Sequence, residues 1–138
     1  MASAAGSRTP AQLFALVFGV VFLAVGLLGF AVTGFDEFFA DTGEALIVFP
    51  LNPAHNLVHI LLGAVWLGSA RAHASAKAVN AGIGAAYLLV FVVGLFGALT
   101  WLNIDAGINA DALLHLASGL AALYFGTTGA TASRPATA

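Results

Sequence analysis

The stretch QLFALVFGVVFLAVGLLGFAV, residues 12–32, contains no charged side chain, and the uncharged run around it extends from Thr9 to Phe35. As an α-helix it reaches about 31 Å, the thickness of a bilayer's hydrocarbon core. Three more apolar stretches follow, at residues 53–70, 79–101 and 110–127. Inside hydrocarbon every backbone amide needs a partner from its own segment, so each stretch is expected to be a helix. None has the strict alternation of a membrane barrel. The fold expected is all-α: an integral membrane four-helix bundle made of two helical hairpins, one domain over residues 1–138. Residues 128–138 are small and polar and are expected to form a disordered tail.

The charges between these stretches give the threading. Arg8 precedes the first stretch, Arg71 and Lys77 lie between the second and third and Arg134 follows the fourth, whereas Asp36, Glu37, Asp41 and Glu44 lie between the first and second and Asp105 and Asp111 border the gap between the third and fourth. Basic loops stay in the cytoplasm, so both termini are expected inside, with the protein multi-pass in the cytoplasmic membrane. The first apolar run is longer than the core of a signal peptide, so it is expected to be retained.

Composition excludes several classes of function. Only 7% of residues are charged and mean hydropathy is +1.01, which leaves too little polar surface for a dispersed soluble domain. A net charge of −2 with no basic run offers nothing to nucleic acid. The chain has no cysteine, so disulfides, thiolate metal sites and cysteine nucleophiles are absent. No serine–histidine–acid set, phosphate-binding glycine loop or acid–base pair at mid-span supports an enzyme or a pump. Tyr87 reads as packing, Trp101 and Tyr124 as interfacial anchors, and His73 as a solvated residue of the 71–78 turn.

The halves of the chain echo one another. NPAHNLVHILLG (residues 52–63) matches NADALLHLASG (109–119), which pairs His59 with His115 and Gly63 with Gly119. VGLLG (25–29) matches VGLFG (93–97). Both halves start on the same side, so a parallel repeat about an axis along the membrane normal is expected. The abundant glycines would let its helices approach closely.

The repeat concentrates the polar residues. Asn52 and Pro53 form a helix start, and His55 and His59, four apart, share one face. Asn109 can cap the last helix, with Asp111 in its first turn and His115 one turn deeper. His55, His59, Asp111 and His115 would then face each other near the outer surface. Two histidines at this spacing with a third histidine and a carboxylate suit zinc, iron or copper. A haem held by His59 and His115 is another reading. The simplest reading has Asp111 bonding a histidine across the bundle, while Asn52, Asn56 and Asn109 complete a structural network without any cofactor.

FPLNPAHNLVHILLG (residues 49–63) and NADALLHL (109–116) resemble the motifs of a family of small, largely actinobacterial membrane proteins catalogued as domain of unknown function 4383. Asn52, Pro53, His55, Asn56 and His59 match its first motif, and Ala110, Asp111 and His115 its second. Ala112 departs, where asparagine is usual. The resemblance implies four spans and a membrane location, and no activity. The function expected is a non-enzymatic structural or accessory protein, with a metal- or haem-binding redox protein as the alternative. Its expected partners are the lipid bilayer and a larger membrane complex or a second copy.

Overall fold

The computed structural model describes residues 7–127. The expected tail and Arg134 lie outside them. Four α-helices dominate: α1 (Pro10–Thr33), α2 (Pro53–Ser69), α3 (His73–Gly94) and α4 (Ala110–Thr127). Of these, α1 and α3 are long and apolar enough to cross a membrane.

Local chemistry sets most of the helix ends. The Thr9 hydroxyl accepts from Gln12 N–H, Thr9 N–H donates to Gln12 Oε1 (3.1 Å), and Pro10 occupies the first helical position. This is a capping box, which satisfies two free amide groups reciprocally. At the other end Gly34, with φ +67°, turns the chain out of α1. Asn52 Oδ1 accepts from His55 N–H (2.9 Å) to start α2, and Asn109 Oδ1 accepts from Ala112 N–H (2.8 Å) to start α4.

α1 packs along α2 and α3 along α4, with lighter contacts between the pairs. Glycine makes the first seam possible. A Cβ on Gly63 would lie 2.7 Å from Leu23 N and 2.9 Å from Gly19 O, so the two backbones touch. Gly84 is placed alike, with Leu123 N at 2.6 Å and Gly119 O at 2.9 Å from where its Cβ would be. Between the pairs lies a core of Phe14, Phe22, Trp66 and Tyr87.

One end of the molecule gathers the start of α1, the turn between α2 and α3, and the end of α4. Thr9 Oγ1 bonds His73 Nδ1 (2.8 Å), Gln12 Nε2 donates to Ala70 O (3.1 Å), and Lys77 Nζ donates to Thr127 O (3.2 Å). Opposite it, the two long connections are tied together. Asn52 Nδ2 donates to Trp101 O (2.9 Å) and Asn103 Nδ2 to Leu51 O (3.2 Å).

Three expectations need correction. The third helix, placed at 79–101, begins six residues earlier at His73 and stops at Gly94. Beyond it come turns and a 3₁₀ segment, Thr100–Leu102, because Gly97 (φ +73°) and Asn103 (φ +60°) adopt the left-handed backbone that a helix excludes. His73 is thus not a solvated turn residue but the first residue of α3, bonded to Thr9. The long connection between α1 and α2 carries a small hairpin, in which β1 (Ala45–Leu46) and β2 (Phe49–Pro50) pair antiparallel.

The third correction concerns the repeat. Gly97 lies outside α3, so VGLLG and VGLFG are not equivalent. Equivalence in contacts instead pairs Gly19 with Gly84 and Phe22 with Tyr87, about three residues or one helical turn from the expected register. The pairing of α2 with α4 is unchanged: His59 stacks on Phe22 (4.8 Å between ring centres) as His115 abuts Tyr87 (5.0 Å).

Candidate metal centre

α2 and α4 each present a histidine stripe to the same interior point. His55, Asp111 and His115 are all buried, and each offers one donor atom within 4.8 Å of the others. The His55 and His115 rings lie 6.3 Å apart, centre to centre. His59, on the same stripe as His55, lies outside this trio: its ring abuts His55 (4.8 Å) on one side and stacks on Phe22 on the other.

The hydrogen bonding of the trio is incomplete. His115 Nδ1 lies 2.9 Å from the Asp111 backbone carbonyl and 3.1 Å from Asp111 Oδ2. A carbonyl can only accept, so Nδ1 bears the proton. The alignment favours the carbonyl, and Oδ2 keeps no full hydrogen bond. Neutral His115 therefore carries its lone pair on Nε2. This is the tautomer of a metal-ligating histidine, whose other nitrogen donates to a carbonyl or carboxylate. The Leu102 backbone bonds the His55 ring, while His55 Nδ1 has no partner; His59 Nδ1 has none either.

Buried polar atoms in folded proteins are almost all hydrogen-bonded, and one left without a partner costs about 1–3 kcal/mol. Among the described residues four buried side-chain atoms lack a full hydrogen bond: His55 Nδ1, His59 Nδ1 and Asp111 Oδ2 on the histidine stripes, and Asn56 Oδ1 towards α1. The predicted network does not satisfy them. Asp111 pairs along its own helix and not across to α2. Asn56 Nδ2 donates to Thr33 Oγ1 (2.8 Å), and Asn109 Nδ2 to Asp105 O (3.1 Å). Among the described residues no asparagine side chain bonds an imidazole or the Asp111 carboxylate. Asn52 and Asn109 cap their helices, Asn52 also ties the two long connections together, and Asn56 joins α2 to the end of α1.

Two cavities meet at Asp111. The larger, about 250 Å³, is lined by α1, α4 and the β-hairpin, with His55, His59, Tyr87, Asp111 and His115 as its inner wall. The smaller, about 130 Å³, lies between the two long connections and includes Asp105, Asn109 and Pro50. Asp111 lines both.

The geometry suits an ion better than a porphyrin. Phe22 and Tyr87 abut each other (5.8 Å) while covering His59 and His115, which fills the slot a haem would need between those ligands. For a metal, zinc–nitrogen bonds of about 2.0–2.1 Å put tetrahedral donors about 3.4 Å apart. Donors now within 4.8 Å would close by about an ångström or so, a side-chain adjustment.

Reasoning from sequence missed two contributors. Asn80 is completely buried, accepting from Trp66 Nε1 (2.9 Å) and donating to Ala11 O (3.0 Å), and so joins α1, α2 and α3. Its one signal was an amide inside an apolar stretch. Phe22, which covers His59, gave none beyond hydrophobicity. No curated protein and no solved structure matches the chain. A family model described as "Domain of unknown function (DUF4383)" matches residues 12–128, nearly the whole of it, and the chain belongs to that family.

Proposed function

We propose that this is a four-span protein of the cytoplasmic membrane, with both termini inside, that holds a divalent transition-metal ion beneath its outer face. His55, Asp111 and His115 are the ligands. The observation that carries the reading is the incomplete hydrogen bonding of the cluster: His55 Nδ1 is buried without a partner, and Asp111 Oδ2 has only the 3.1 Å contact of a His115 Nδ1 that it shares with a backbone carbonyl. A purely structural network would be expected to satisfy its own members. Two imidazoles and one carboxylate favour zinc, iron or copper over magnesium or calcium, which take oxygen ligands.

The charge distribution supports the threading. Arg8, Arg71 and Lys77 lie at the end where α1 starts and α2 gives way to α3, and the exposed acids Asp36, Glu37, Asp41, Glu44 and Asp105 lie at the other. α2, at 17 residues, is about 26 Å long and would cross with little tilt.

The test is elemental analysis of protein purified in mild detergent, followed by zinc titration of the chelator-treated sample. One ion per chain is expected, lost in His55→Ala/His115→Ala. A metal-free protein that takes up no zinc, copper or iron above background would refute the metal reading and leave the structural one.

A further inference from the structure

Two cavities reach the histidine cluster, and they differ in what they would let pass. Beyond the cluster the larger is walled by Val21, Val25, Leu46, Ile47 and Leu114. It opens between α1 and α4, where Val21 and Leu114 are about half exposed on helices that touch only lightly. In the four-span reading that side faces acyl chains. An ion entering there would shed its water against apolar walls, and an unpaired charge in such surroundings is strongly disfavoured. From the end where α1 starts, the approach is filled by the core of Phe14, Phe22, Trp66 and Tyr87, in which Trp66 is completely buried.

The smaller cavity is the polar one. Val48, Pro50, Asp105, Asn109 and Ala110 form its rim, and of these Val48, Asp105 and Ala110 are exposed. Its floor is Asp111, only 4% exposed, whose Oδ2 keeps no more than the 3.1 Å contact with His115 Nδ1. A carboxylate thus stands at the rim and another at the floor. The rim is held in register with α4, because Asn109 Nδ2 donates to Asp105 O while Asn109 Oδ1 accepts from Ala112 N–H. The Asp105 carboxylate forms no ion pair among the described residues. At about 130 Å³ the space admits several waters, so an ion can enter while still partly hydrated. Arg8, Arg71 and Lys77 lie at the far end of the molecule, whereas Asp36, Glu37, Asp41 and Glu44 share this end with Asp105. A face lined by one sign of charge draws counter-ions towards it.

We propose that the smaller cavity is the loading channel of the metal centre. A hydrated divalent cation is taken up by Asp105 at the rim, passed to Asp111 at the floor, and delivered there to His55 and His115. Asp105 is a transient ligand and not a member of the final set. The site would then exchange metal with the compartment outside the cytoplasmic membrane, and with neither lipid nor cytoplasm. This route rests on the metal reading of His55, Asp111 and His115.

Stopped-flow zinc loading of the full chain in detergent provides the test, with equilibrium zinc binding measured on the same samples. The chain has no cysteine, so one introduced at a chosen position is its sole thiol. Ala110→Cys carrying a bulky maleimide should load and release zinc at least about tenfold more slowly, with its dissociation constant within about twofold of the unlabelled variant. An obstructed entrance raises the barrier in both directions and leaves both end states alone. Asp105→Asn should slow loading at least about threefold at low ionic strength, and by less near 1 M salt, where the screening length is about 3 Å. The same adduct on Val21→Cys, at the opening between α1 and α4, or on Ser75→Cys, at the far end, should leave both rates unchanged. Loading slowed by the Val21 adduct and not by the Ala110 adduct would overturn the route. So would a rise in dissociation constant that matches the fall in loading rate, since the adduct would then distort the site instead of closing it. A parent protein that binds no zinc at equilibrium refutes the metal reading and the route together. A parent that binds one zinc, but whose variants all load alike, refutes the route alone.

Discussion

Replacing Gly63 by alanine should loosen α1 from α2 and, with it, the histidine cluster. The added methyl would meet Leu23 N at 2.7 Å and Gly19 O at 2.9 Å, whereas ordinary contact begins near 3.4 Å. Both obstacles are backbone and cannot rotate away, so α2 must retreat by about 0.7 Å along the seam. A gap of about 0.5–1 Å forfeits a quarter to a half of the dispersion attraction at each contact it opens. Overpacking of this kind costs about 1–3 kcal/mol. In lipid the loss is not offset by hydrophobic burial, because packing itself holds the helices together. Gly82→Ala is the control: nothing lies within 4 Å of its added methyl, and alanine improves helix propensity by up to about 1 kcal/mol. Thermal unfolding in detergent, followed by circular dichroism, should therefore place the two variants on opposite sides of the parent. His55 stands about two turns from Gly63 on the same helix, so zinc affinity should fall in Gly63→Ala and not in Gly82→Ala. Identical melting of the two variants would refute the close approach of α1 and α2.

Asp111→Asn keeps the shape of the side chain but removes its charge, and should weaken zinc binding at least about tenfold without loss of helical content by circular dichroism. Asn80→Leu strands the buried Trp66 N–H and should cost about 1–3 kcal/mol, with a change in tryptophan near-ultraviolet dichroism. Single cysteines at Ser75 and Asp36, both exposed, should react with an impermeant maleimide from opposite faces of the membrane; labelling from one face would refute the threading. His55→Leu/Asp111→Leu/His115→Leu should abolish metal uptake and leave the melting temperature equal or higher, because an apolar replacement removes the atoms without partners. A fall in melting temperature of the metal-free protein would restore the structural role.

What could be read from the chain follows from the range over which each feature is decided. The starts of α1, α2 and α4 depend on contacts three residues long, Thr9 to Gln12, Asn52 to His55 and Asn109 to Ala112, and such signals are visible in the sequence. The stripe His55–His59 and its counterpart Asp111–His115 follow from helical period alone. The end of α3 was hidden because LFGALTW is as apolar as the helix before it. What stops the helix is the left-handed backbone at Gly97 and Asn103, with Asn103 held by a bond to Leu51 about fifty residues away. The repeat was misregistered for a related reason. In glycine-rich helices a short match is easily found, and only the backbone contacts of Gly63 and Gly84 distinguish the register that packs. The cavity could not be foreseen at all, since its wall combines α1, α4 and a hairpin whose strands are two residues each.

The position of Asp111 links the proposals. A carboxylate buried in a membrane protein is costly unless it is paired, and cations or hydrogen-bond donors usually supply the pairing. Among the described residues no lysine or arginine forms an ion pair with Asp111, and its neighbour His115 divides one N–H between the Asp111 backbone carbonyl (2.9 Å) and Oδ2 (3.1 Å). The carboxylate is nonetheless held at the junction of two cavities, one reaching Asp105 and Asn109 at the long connections and the other opening between α1 and α4. A residue retained only to cap α4 would not need that position, because Asn109 already provides the cap. On the proposed reading a bound cation would supply counter-charge beyond the contact that His115 already makes with the carboxylate, and would offset part of the cost of burying Asp111.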